Sequence, residues 1–123
     1  MNQILWIALG GALGAVLRYL MVEGVSYVFP YSFPNGTLVV NVLGCFAIGA
    51  VFALFAGSMQ FQTQIRPFLV IGILGGFTTF SSYAMELTDL FRAEQFSKAM
   101  LYFLLSNVLG FTAAWFGFKA FAA

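Results

Sequence analysis

The sequence predicts an all-α membrane protein of four transmembrane helices, with the third helix broken mid-membrane and the chain paired as an antiparallel, dual-topology homodimer. Three observations predict it: a composition that is 62% hydrophobic, four apolar runs each near the roughly 20 residues a helix needs to cross the hydrocarbon core, and basic residues divided almost evenly between the two membrane sides. Mean hydropathy is +0.97. Five Lys/Arg and four Asp/Glu in 123 residues fall far short of the roughly 25% charge of a soluble domain. The runs cover about 4–22, 36–57, 67–91 and 99–121. They nearly exhaust the chain, so residues 1–123 read as a single four-helix transmembrane domain.

The first run lacks a basic leader segment, is too long for a signal-peptide core and carries Arg18 near its far end, so it reads as a membrane helix. Arg18 lies about one turn from the membrane surface. It either snorkels to the interface or places a positive charge at the mouth of a vestibule. Gly10 and Gly14 recur at a four-residue spacing that lets backbones approach closely in lipid, as do Gly72 and Gly76 on the third run.

The second run, Gly36-Thr-Leu-Val-Val-Asn-Val-Leu-Gly-Cys45, puts Thr37, Asn41, Gly44 and Cys45 on one helical face. A membrane amide faces protein, so Asn41 serves either an interhelical hydrogen bond or a donor into a pathway. Cys45 is the single cysteine, which leaves no disulfide framework or two-thiol metal site within one chain and a packing role for this small residue.

The third run is the most informative. Its apolar stretch leads into Gly75-Gly-Phe-Thr-Thr-Phe-Ser-Ser-Tyr83, which sets two glycines and four Ser/Thr hydroxyls at bilayer depth. Loosened backbone is tolerated there only where it is buried in protein or lines a polar cavity. The segment therefore reads as a helix broken at Gly75-Gly76 around an ion or substrate path. Phe80 and Tyr83 share a face of the continuing helix, with Ser81 and Ser82 at its sides. Ring edges are electropositive, so two of them beside hydroxyl and amide donors would favour an anion; ordinary aromatic packing is the alternative. Glu86, Asp89 and Glu94 are assigned to the exit of this helix, in reach of water.

On the fourth run Asn107, Gly110, Phe111 and Ala114 form one stripe, with Ser106 and Thr112 beside it. Asn107 is a pore donor, an interhelical hydrogen bond, or both. Loops are expected at Glu23 to Asn35, where Pro30 and Pro34 act as breakers, at Gly57 to Arg66, and at Arg92 to Lys98.

With short loops the helices alternate in direction, so Arg66 and Lys119 lie on one side and Arg18, Arg92 and Lys98 on the other. Orientation is set by an excess of Lys and Arg in cytoplasmic loops, and this chain has almost none. Insertion both ways round would make an antiparallel two-fold dimer available, bringing the broken segment of each chain to a common centre. A weakly biased single orientation is the alternative.

The chain has no histidine and no Asp or Glu deep in the first two runs, which removes the usual ingredients of catalytic triads, zinc sites and carboxylate proton exchange. An enzyme is not expected. A net charge of +1 without a basic block leaves no nucleic-acid partner; the partners expected are membrane lipid and a second copy of the chain.

An arginine ending the first helix, Gly36-Thr-Leu-Val-Val-Asn41, and Gly75-Gly-Phe-Thr-Thr-Phe-Ser-Ser82 at this spacing closely resemble the CrcB/Fluc fluoride channel family, over essentially the whole chain. The resemblance implies a dual-topology dimer in the cell inner membrane, with two antiparallel pores that pass fluoride ion selectively and export it when it accumulates. It also implies a structural sodium ion (Na+) at the dimer centre, held by the backbone carbonyls of Gly75 and Thr78 from both subunits. Phe80 matches the first ring of the family's phenylalanine pair, Asn41 the helix-two asparagine near the pore, Asn107 a polar position on the fourth helix and Arg18 the vestibule arginine. Tyr83 stands where a second phenylalanine is usual, Ala84 where a serine is frequent and Phe111 where a small hydroxyl residue is frequent.

A selective fluoride pore must replace tightly held water with closely spaced donors that are not so strong that they trap the ion. Neutral amides, hydroxyls and ring edges meet that need, which Asn41, Ser81, Ser82, Phe80 and Tyr83 would supply in series. Two rivals follow from other classes. A small multidrug-resistance type exporter would need an acidic residue within the first helix, and the first run has none. A non-transporting membrane scaffold would explain the glycine pairs but not a polar break at bilayer depth.

Overall fold

The computed structural model describes residues 2–29 and 32–122, so the breaker assigned to Pro30 lies outside the described residues. Helix α1 spans Gln3–Val28, α2 Asn35–Phe55, α3 Phe61–Leu74, α4 Phe80–Arg92 and α5 Phe96–Phe121. A single helical turn, Gly75–Phe77, continues α3, and the whole stretch Phe61–Arg92 serves as one membrane crossing. Four crossings are therefore long and apolar enough to span the bilayer, and the third is interrupted. The chain is a multi-pass membrane protein.

The first, third and fourth crossings overrun their apolar runs, while α2 stops two residues short of its run. Polar residues continue a helix readily once it leaves hydrocarbon, because the backbone bonds stay satisfied while side chains reach water. Thus α1 continues past Glu23 to Val28, with Ser26 Oγ donating to the Val22 carbonyl at 2.9 Å. The stretch expected as a loop through Arg66 belongs to α3 from Phe61 onward, where Arg66 donates to Gln62 Oε1 at 3.3 Å. The last connection shortens to the residues between Arg92 and Phe96. Pro34 caps α2, as its breaker role requires.

Helix α3 is wound with wide, π-type turns, in which Ile65 N–H returns to the Gln60 carbonyl at 3.2 Å. Pro67 sits buried inside it. Its missing N–H and ring exclude a regular i to i−4 ladder at that point, and widened turns recur at functional sites.

The helices pack by backbone contact. On α1 the buried residues are Gly10 and Gly14. A Cβ on Gly10 would strike the Phe68 carbonyl oxygen and come within 3.0 Å of Gly72 Cα; one on Gly14 would strike the Ile73 carbonyl oxygen. Gly76 completes the seam from the other side, where a Cβ would lie 2.7 Å from the Gly11 carbonyl. The second seam joins α2 to α5: Gly49 abuts the Ala114 carbonyl and Gly117 the Phe46 carbonyl. Side chains that would force either seam apart cost about 1–3 kcal/mol or more, because the obstacle is backbone rather than a movable side chain. These two pairs, α1 with α3 and α2 with α5, are the most extensive contacts of the fold. Leu5, Leu9, Leu13 and Leu20 of α1 are left exposed, as lipid-facing residues are.

Candidate functional site

The break falls at Thr78–Thr79 and not at the glycine pair. Gly75 is helical (φ −62°, ψ −38°), whereas Thr78 (φ −86°, ψ 158°) and Thr79 (φ −150°, ψ 117°) are extended. The expectation of a break at Gly75-Gly76 is corrected by three residues. Glycine permits a break but does not impose one, and here Gly76 is used for close packing against α1.

What imposes the break is Asn41. Its Oδ1 accepts the Thr79 backbone N–H at 2.8 Å and its Nδ2 donates to the Thr79 carbonyl at 3.0 Å. One amide side chain thus satisfies both polar groups of an extended residue at bilayer depth, where each would otherwise go unpaired. Thr79 then caps α4, with its Oγ1 accepting Ser82 N–H at 3.2 Å. In an unbroken helix the N–H groups of Thr79 and Ser82 would return to the carbonyls of Gly75 and Thr78. Both donors are diverted. The carbonyls of Gly75 and Thr78 are therefore released at the break. Leu74's carbonyl remains engaged, accepting Thr78 N–H at 3.0 Å and Thr78 Oγ1 at 2.9 Å.

Around this break lies a cavity of about 560 Å³. Among its lining residues are Asn41, Gly75, Thr78, Phe80, Tyr83 and Asn107, so six of the residues singled out in the sequence converge on one space. The stripe Asn107, Gly110, Phe111 and Ala114 also faces it. Tyr83 is buried at 7% exposure and Phe80 is 78% exposed, their rings meeting edge to face at 5.7 Å. Asn107 Nδ2 lies 3.2 Å from the Tyr83 hydroxyl and 2.9 Å from the Phe103 carbonyl, so it orients the ring and caps a helical carbonyl at once. Cys45 lines the same space, opposite Gly110.

Three residues stand apart. Ser81 and Ser82 lie exposed on the outer side of α4, where Ser81 Oγ is 3.4 Å from Thr79 Oγ1. Arg18 is half-exposed on α1 and does not line the cavity.

A second polar cluster escaped the sequence reading. Glu86 is half-buried rather than released to water: Thr37 Oγ1 donates to one carboxylate oxygen at 3.0 Å and the Tyr102 hydroxyl to the other at 3.1 Å. Tyr102 is fully buried, and its ring packs edge to face on Tyr83 at 5.1 Å. Asp89 does behave as expected, forming an exposed pair with Arg92 at 3.5 Å. The signal for the cluster was present: Glu86 follows Tyr83 by three residues on one helical face, and a carboxylate inside an apolar run marks a partnered site.

The family model for CrcB-like protein, Camphor Resistance (CrcB), matches residues 5–118. The chain belongs to the CrcB family. Its relatives include the fluoride-specific ion channel FluC of Magnetococcus marinus, 42% identical over 94% of each chain. That of Aquifex aeolicus is 41% identical over 96% of this chain and 95% of its own. That of Shewanella halifaxensis is 46% identical over 82% and 81%. The matched residues reach into all four crossings and include the break, so the cavity described above lies within the matched region.

The Asn41–Thr79 pairing generates a prediction. Asn41→Leu leaves both Thr79 groups unpaired, a cost of about 1–3 kcal/mol for each group. Thermal unfolding in detergent should show a strongly lowered midpoint, whereas Tyr83→Phe, which loses one neutral hydrogen bond, should stay close to the parent. An Asn41→Leu midpoint equal to the parent's would contradict the assignment.

Proposed function

We propose that the chain is a fluoride-selective channel of the inner membrane that lets fluoride leave the cell down its gradient. The observation that carries the reading is the cavity at the break: at bilayer depth it presents amides, hydroxyls and aromatic edges, and its described lining residues include no Asp, Glu, Lys or Arg. A small, tightly hydrated anion needs many weak donors in place of water, and a lysine or arginine in direct contact with it would hold it too long. The names of the relatives point to the same ion. An exporter of cationic drugs would need an acid in the first apolar run, where none stands, and a scaffold would have no use for a polar break.

The working unit in this reading is an antiparallel pair. Ser81 and Ser82 lie exposed on the protomer, beside exposed Phe80 and Gly75, although hydroxyls at bilayer depth belong against protein. A two-fold partner would cover them and complete the walls of two paths. The nearly even charge split permits both insertions. Ser81 and Ser82 would then add hydroxyls to the path, and Arg18 would serve the vestibule.

Sodium fits the centre of that pair. The released carbonyls of Gly75 and Thr78 are neutral oxygen donors of the kind a small hard cation takes, and two from each chain would make four. When bound, the cation supplies a fixed positive charge that steadies the broken backbone and favours an anion nearby. Among the described residues of a single chain a Cβ on Gly75 would meet only the Val70 carbonyl, at an ordinary contact distance of 3.6 Å, so Gly75→Val is expected to act on the pairing.

Efflux from vesicles holding only the purified chain tests the function: fluoride should leave and chloride should stay. Passage of neither ion, or of both equally, would remove the reading. Exhaustive replacement of sodium by a large organic cation should reduce fluoride flux, and undiminished flux would remove the central ion.

Orientation is read by labelling a cysteine placed near the C-terminus of a Cys45→Ser variant in intact cells. Both membrane sides should react, and labelling from one side alone would contradict the antiparallel pair. Gly75→Val should retain helix content while migrating as a monomer.

A further inference from the structure

We propose that Lys98 offsets the carboxylates at the mouth of the path, acting as a positioning residue that keeps fluoride from being depleted where the protein meets water. The inference rests on the fluoride reading above. A second cavity, of about 390 Å³, opens at the end of the bundle where α1 and α4 finish and α2 and α5 begin. Thr37 and Glu86 line it. The carboxylate of Glu86 also holds the Tyr102 hydroxyl, and the Tyr102 ring packs against Tyr83, which lines the inner cavity. One hydrogen bond and one ring contact thus connect Glu86 at the outer space to the lining of the inner one.

The charges lining this outer space oppose an anion. Glu86 and Asp89 both face it, and among the described lining residues Lys98 alone is cationic. Asp89 is offset in part by Arg92; Glu86 has neutral hydroxyl partners. Lys98 is half-buried, and its Nζ donates to the Ser32 carbonyl at 3.3 Å. That bond keeps the ammonium over the cavity and ties the α1–α2 connection to α5. Without the lysine, two carboxylates would set the potential at the opening and fluoride would be depleted there.

The effect is a field effect, so salt must abolish it. Fields extend about 30 Å at 0.01 M ionic strength and about 3 Å at 1 M. Fluoride efflux from vesicles, with sodium held constant and an impermeant salt added, should be slowed about threefold or more by Lys98→Gln at low ionic strength. The gap should close at high ionic strength, and Lys98→Arg should match the parent at both. Fluoride-over-chloride selectivity should not move. Equal rates for parent and Lys98→Gln at low salt, or a deficit that salt leaves unchanged, would overturn the proposal; the latter would mean that only the loop tether matters.

A Lys98→Cys variant on the Cys45→Ser background asks the same question within one folded protein. A positively charged methanethiosulfonate should raise its low-salt flux and a negatively charged one lower it, and an equal response to both would count against the proposal. A parent chain that passes no fluoride would remove the fluoride reading together with this one, whereas a conducting parent with a charge-insensitive position 98 removes this one alone.

Discussion

The structure depends on one side chain meeting the backbone of one residue: Asn41 accepting from the Thr79 N–H and donating to the Thr79 carbonyl. A membrane interior offers no water to a polar backbone, so an interrupted helix there is stable only if its loose ends find partners within the protein. The amide is suited to this because it carries a donor and an acceptor side by side, the same pair a peptide presents. By taking over Thr79, Asn41 removes the donor that Gly75's carbonyl would have received. The Thr79 hydroxyl in turn takes Ser82 N–H from Thr78. The break, its cap and its released oxygens are consequences of a single contact between α2 and the third crossing.

That contact needs α2 and the third crossing held close, and glycine provides the closeness. A Cβ on Gly44 would collide with the Thr78 methyl group, so Gly44 is what admits Thr78 to the flank of α2 one turn beyond Asn41. Gly10, Gly14 and Gly76 clamp the same crossing to α1 from the other side. Held on two sides, the segment has no freedom to rewind. Below it, Tyr83 carries the arrangement outward, linking Asn107 on α5 to Tyr102 and thence to the Thr37–Glu86 pair at the opening. The described lining of the inner cavity carries no charged side chain, whereas Glu86, Asp89 and Lys98 line the outer one.

The four crossings were legible because hydropathy reports burial in lipid directly, and the role of Gly10 and Gly14 was legible because small residues at fourfold spacing have few other uses in a membrane. Most of the cavity-lining residues were legible for a related reason: Asn41, Tyr83 and Asn107 are polar or amphipathic groups in otherwise apolar runs and must turn inward. The position of the break was not. Gly75-Gly76 is the locally weakest point, but the decisive partner is 38 residues away in sequence, and a local pattern carries no information about which peptide a distant amide will take. Glu86 was misplaced because its charge was read as a demand for water, whereas two buried hydroxyls meet that demand from different helices. Several helix ends were set too short because polar side chains interrupt an apolar pattern without interrupting a backbone ladder, as in α3 between Phe61 and Pro67.

The claim at the centre of this account is that the Gly75 carbonyl has lost its helical donor. Infrared absorption of a single isotope-labelled carbonyl reads that property directly, in the folded protein in detergent without sodium. A label at Gly75 should absorb at the higher frequency of a carbonyl that accepts no backbone hydrogen bond, while a label at Gly72, which accepts the Gly75 N–H, should absorb at the helical frequency. Two labels absorbing alike at the helical frequency would contradict the account.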